Sequence, residues 1–141
     1  RQGFVSAMQS VGLAVPAEYI IEGIYASYDS ELNRDAARTL LSLPSPPTAI
    51  VCANDAIAVC AIEAAKECGL SVPEQLSVTG FDGHTSDENK LTTLRQPLEQ
   101  IGKEAVERLL QNIEAETNES GYHLLAPDWQ HGYTVAPPRQ L

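Results

Sequence analysis

At 141 residues, 43% hydrophobic and 20% charged, the chain has the size and composition of one soluble globular domain, and no apolar run approaches the length of a membrane span. A net charge of −10, with the nine Lys and Arg scattered, argues against this segment gripping a phosphate backbone, so any nucleic-acid binding must come from another part of the protein. The three cysteines, 52, 60 and 68, lack metal-ligand spacing and read as reduced core or half-buried residues of a cytosolic protein, a redox role being the lesser alternative.

Along the chain, Gly3 to Gly12 (GFVSAMQSVG) places apolar residues at 4, 5, 8 and 11 and predicts an amphipathic helix stopped by Gly12. The abrupt Arg-Gln-Gly-Phe opening, with no leading strand or signal peptide, suggests a fragment of a longer protein. Tyr19 to Tyr25 (YIIEGIY) reads as a short strand. Asp29 or Ser30 then caps a helix to about Leu43, with Leu32, Ala36, Ala37, Leu40 and Leu41 on its inner stripe, and Pro44, Pro46 and Pro47 stop it.

Residues 46–82 carry the clearest pattern. A β-branched run, TAIVCA (48–53), is broken by Asn54-Asp55, which open an alanine-rich helix over 55–68. Gly69 and Pro73 punctuate before a second apolar run, LSVTGF (76–81), which ends on Asp82. This is a βαβ unit, and it sets an amide and a carboxylate at the carboxyl edge of a parallel sheet, where ligands of open α/β sheets bind. Ala56 to Ile62 (AIAVCAI) is apolar around the whole helix circumference. Either another part of the fold covers its outer face or a second subunit does, and the second is favoured because apolar patches rimmed by polar residues mark association.

After a polar loop (84–90), LTTL (91–94) reads as a brief extended crossing segment. Pro97 starts a long helix to about Glu114, and residues 114–121 form an acidic turn. The strand-like stretches YHLLA (122–126) and WQHGYTVA (129–136) follow. Helices alternating with strands give an α/β class, a mainly parallel sheet sandwiched by helices.

These motifs resemble the effector-binding core of the LacI/GalR family of bacterial transcription repressors, itself similar to type I periplasmic sugar-binding proteins. The resemblance rests on GF (3–4), LL (40–41), PPTAIVCAND (46–55), GLSVPEQLSVTGFD (69–82), LTTLRQP (91–97) and IGxxAVxRLL (101–110), in that order over nearly the whole chain. It implies a periplasmic-binding-protein-like type I fold in which residues 1–94 are C-terminal subdomain, 95–121 a crossover helix of the N-terminal subdomain, and 122–141 returning strands and tail. A DNA-binding head would lie upstream of Arg1, so operator DNA is expected as a partner only through that missing head.

Asn54 matches the family position that hydrogen-bonds effector hydroxyls, its other role being to cap the helix; Asp55 reads as a first-turn dipole partner before a ligand contact. Asp82 matches the carboxylate that accepts bonds from the effector, with an Asx turn as its alternative. Tyr28 falls where the family stacks an aromatic ring, with Tyr25 as its near-register rival. The family arginine before GF would stand upstream of Arg1, the loop from Gly83 to Lys90 is shorter than usual, and His131 and Tyr133 depart from the family pattern. A pocket complete in itself is therefore not expected. His84, His123 and His131 offer no metal template, and no cofactor is expected.

The resemblance implies a cytoplasmic regulator that senses a sugar or nucleoside-like effector, with no membrane partner, and the apolar girth of the Ala56–Cys68 helix region makes that region the expected homodimer contact. A periplasmic transport protein of the same fold is the alternative. No GxSxG, GxGxxG or carboxylate–base pair supports an enzyme.

Overall fold

A computed structural model describes residues 1–21, 30–84, 91–115 and 121–138. Helix α1 (Gln2–Ser10) is followed by a 3-10 turn (Ala17–Tyr19), α2 (Ser30–Leu41), β1 (Ala49–Val51), α3 (Asp55–Glu67), β2 (Ser77–Asp82), β3 (Thr92–Arg95), α4 (Leu98–Glu114) and β4 (Asp128–Gln130). The four strands form one sheet in the order β1-β2-β3-β4. β1, β2 and β3 run parallel and β4 closes the edge antiparallel to β3, which is the mainly parallel α/β sheet expected from the sequence.

One strand expectation fails and another is described only at its start. Tyr19 closes the 3-10 turn that starts behind Pro16, residues 20–21 are not strand, and the remainder of 19–25 lies outside the described residues. YHLLA (122–126) is not a strand, and Tyr122 and Leu124 stand exposed. The shorter Asp128–Gln130 takes the open edge of β3 instead. Beyond it the chain returns along the start of β2. The Val78 N–H donates to the Thr134 carbonyl at 2.7 Å, and the buried Thr134 hydroxyl donates to the Val78 carbonyl while accepting the Thr92 N–H.

The core lies between sheet and α3, with α2 packed on α3: Leu40, Ile50, Leu76, Val78 and Leu91 meet Ala58, Ala61, Ala64 and Ala65 there. Part of the cover expected over residues 56–62 therefore comes from the same chain. The alanines let α2 approach α3 closely from within the chain, leaving Ala56 exposed and Ile57, Val59 and Ile62 half-buried. Cys52 and Cys60 are buried free thiols, and burial pushes the Cys52 thiol up to about 12, which keeps it protonated and inert. By contrast, α1 and α4 bury no residue among those described; Leu109, Leu110 and Ile113 of α4 are exposed.

Ion pairs fasten α2 to α3. Arg34 reaches Glu63 at 3.0 Å and Arg38 reaches Glu67 at 2.6 Å, while both guanidinium groups also hold Glu31. Hydrogen bonds from Arg38, then Arg34, pull the Glu31 carboxyl from 4.5 to about 2. A carboxyl depressed in the folded state stabilises fully above its unfolded pKa, and that contribution is lost as pH falls from about 4.5 toward 2. Glu31 is solvent-exposed, so salt screens the effect. Acid unfolding followed by circular dichroism should therefore begin at higher pH in Glu31→Gln than in the wild type, with the gap narrowing in 1 M salt. Superimposed curves at low salt would count against this network.

Candidate functional site

The candidate site lies at the carboxyl edge of the sheet. Val51 of β1 pairs with Thr79 of β2, so Asn54 and Asp82, equally far beyond that pair, emerge level with each other. Asn54 is extended (φ −155°, ψ 172°) and caps α3, its Oδ1 accepting the Ile57 N–H at 2.9 Å. The capping role is thus real. It occupies the amide oxygen and leaves the nitrogen donors for a second task.

Asp82 ends β2 in an unusual backbone state, φ 116°, followed by Gly83 at φ 76°. A non-glycine residue held there costs roughly 1–3 kcal/mol, and such residues cluster at functional sites. Gly83 is required by space as well: a Cβ would lie 2.5 Å from Arg95 Cγ and 2.9 Å from Arg95 Cα. The Asp82 carboxylate does not form an Asx turn. The His84 N–H, which such a turn would use, donates instead to Asp55 Oδ2 at 2.7 Å. Asp82 Oδ1 accepts from Gln96 Nε2 at 2.6 Å, and the Gln96 N–H donates to the Asp82 carbonyl at 3.3 Å.

Asp55 is the residue sequence reasoning undervalued. It stands in the first turn of α3, as expected for a dipole partner, but it is buried, and its carboxylate accepts the Thr93 hydroxyl at 2.6 Å as well as the His84 amide. It thereby ties α3 to β3 and to the turn after Asp82. A signal was present: Gly80 interrupts the apolar run of β2, and interior glycines mark close approach. The Asp55 carboxylate occupies the space a Gly80 side chain would need.

An open cleft of ≈ 520 Å³ borders this edge, lined among others by Asp82, His84, Arg95, Gln96 and Lys103. Asn54 is not among its lining residues. Tyr28 and its rival Tyr25 lie outside the described residues, as does most of the loop from Gly83 to Lys90. His131 Nδ1 accepts the Trp129 indole N–H at 3.1 Å, and His123 pairs with Glu104 of α4. Among the described residues no group of His, Cys, Asp and Glu side chains could hold a metal ion, and no helix is long and apolar enough to cross a membrane.

Residues 1–134 match the family described as the periplasmic binding protein-like domain. The chain is 39% identical over 127 residues to the HTH-type transcriptional repressor CytR of Escherichia coli, covering 88% of this chain and 36% of that repressor. Among solved structures, a regulatory protein of the LacI family from Chloroflexus aggregans superposes with a TM-score of 0.81 at 30% identity, over 96% of this chain and 49% of that one. A complex of the transcriptional regulator CelR with cellobiose gives 0.79 at 26% identity, over 94% of this chain and 41% of that one. The chain thus spans between about a third and a half of the proteins it matches. Repressors among these relatives do not favour the transport alternative. The chain belongs to the periplasmic binding protein-like domain family and groups within it with LacI-family regulators.

Proposed function

We propose that this chain is the effector-sensing portion of a DNA-binding transcriptional regulator and that it grips a sugar or nucleoside-like molecule at the carboxyl edge of its sheet. The observation that carries this is the level placement of Asn54 and Asp82, with Asp82 held in a costly backbone conformation beside an open cleft. Amide donors and a carboxylate acceptor together suit paired hydroxyls, and cellobiose in the CelR complex is such a ligand. Tyr28 would add a stacking face. Residues 1–94 act with 122–141 as one subdomain, and 95–121 belongs to the facing one. The exposed apolar stripe of α4, Leu109, Leu110 and Ile113, supports that division. The protein is not an enzyme: it works in the cytoplasm as a homodimer and touches operator DNA through a separate head. Ligand closure shifts the population of subdomain orientations, which changes DNA affinity. At α3 the exposed Ala56 and the half-buried Ile57, Val59 and Ile62 remain for the dimer beside the face packed on α2.

A thermal-shift panel on the full-length protein tests the site, with ribose, arabinose, cellobiose, sucrose, cytidine and adenosine as probes. A binding probe raises the wild-type melting temperature. Asp82→Ala and Asn54→Ala should each weaken that probe by about 2 kcal/mol, roughly 30-fold, and lose most of the shift. Wild-type shifts in both variants would refute the assignment.

A further inference from the structure

We propose that Gln96 is a positioning residue for Asp82, holding the carboxylate in the pose from which it binds effector; this rests on the effector-site reading above. Gln96 holds Asp82 at two points, its side-chain amide on Oδ1 at 2.6 Å and its backbone N–H on the carbonyl at 3.3 Å. A carboxylate only accepts, so the amide nitrogen must be the group that faces it, and the second carboxylate oxygen stays available. Both side chains are half-buried at the wall of the cleft, where a charge-assisted bond is stronger than in open water.

The need for such a brace follows from the backbone. Asp82 and Gly83 both have positive φ, so Asp82 sits in a conformation that surrounding contacts must enforce. The turn is fixed from the α3 side by Asp55 on the His84 N–H, and from the β3 side by Gln96. Without Gln96 the carboxylate keeps its charge and place in the chain but loses the partner that selects its rotamer. Effector must then select that rotamer at its own expense of affinity. Gln96 also stands between β3 and α4, with only Pro97 before the helix, so the pose of Asp82 depends on how α4 leaves the sheet.

The test is a double-mutant cycle on the full-length protein: wild type, Gln96→Leu, Asp82→Asn and the pair, each titrated calorimetrically with whichever panel probe shifts the wild type. Gln96→Leu should raise Kd about 10-fold in a protein that still unfolds cooperatively, and the pair should bind no worse than Asp82→Asn alone. Additive losses would mean that Gln96 touches ligand directly and would overturn the positioning role. Gln96→Leu binding like wild type while Asp82→Asn does not would overturn it too, leaving the effector site standing. A ligand-free readout decides independently of any probe. The Gln96 side-chain NH2 resonances should be dispersed and slow to exchange in the wild type, and should collapse toward free-glutamine positions in Asp82→Ala. Free-glutamine behaviour already in the wild type would sink the proposal, whereas wild-type affinity in Asp82→Asn with a dispersed Gln96 amide would remove only the effector-site reading.

Discussion

Gly80→Ala is expected to destabilise the chain by about 3 kcal/mol, through overpacking at a position with no room to relax. Its Cβ would lie 2.3 Å from Asp55 Oδ1, 2.7 Å from Leu91 Cδ2 and 3.2 Å from Asp55 Cα. Leu91 is fully buried, so its methyl has nowhere to turn. The carboxylate cannot swing aside without releasing the Thr93 hydroxyl and the His84 amide. Backbone conformation is not the obstacle, since Gly80 is not among the glycines with positive φ. Gly102 supplies the contrast: it sits inside α4 with nothing within 4 Å of a Cβ, so Gly102→Ala should gain roughly 0.5–1 kcal/mol of helix propensity. Urea melts of both variants check the pair. A Gly80→Ala protein as stable as Gly102→Ala would mean that Asp55 does not lie against β2.

The β1–α3–β2 unit was legible because its signals are local. The runs TAIVCA and LSVTGF are β-branched, and Asn54 caps the helix between them from within its own first turn. Register then sets Asn54 and Asp82 at the same carboxyl edge, each three residues beyond the Val51–Thr79 pair. The strand expected at YHLLA failed because strand formation needs an available edge, and composition does not say which segment reaches it first. The apolar girth of α3 is ambiguous for a related reason. Alanines at 58, 61, 64 and 65 signal close helix packing, but not whether the covering helix comes from the same chain. The partner of Asp82 was hidden because Gln96 lies 14 residues away across an edge built by β3, and Asp55 meets Thr93 over 38 residues. Those bonds exist only once the sheet is assembled. They determine how the two legible residues are held, which is the part of the site that pattern cannot supply.

Asp55→Ala should cost about 2–4 kcal/mol, the second large loss, and for a reason that can be separated from the first. Thr93 is fully buried and would keep a hydroxyl with its acceptor gone, while the half-buried His84 N–H would lose the oxygen that fixes the turn after Asp82. Asp55→Asn should fall between alanine and wild type. The amide oxygen can still take the Thr93 hydroxyl, but the NH2 then meets the His84 N–H donor to donor. Removing the carboxylate also clears the nearest obstacle to a Cβ at position 80. The double variant Asp55→Ala/Gly80→Ala should therefore lose less than the two single losses combined, by about 1–2 kcal/mol, with the Leu91 contact preventing full rescue. Denaturant melts of the four proteins measure that coupling, and strict additivity would show that the two positions do not share space. Amide exchange at His84 gives the link to function. If Asp55→Ala frees that amide, the turn carrying Asp82 loosens from the α3 side, and on the proposed effector reading affinity for the binding probe should fall with it.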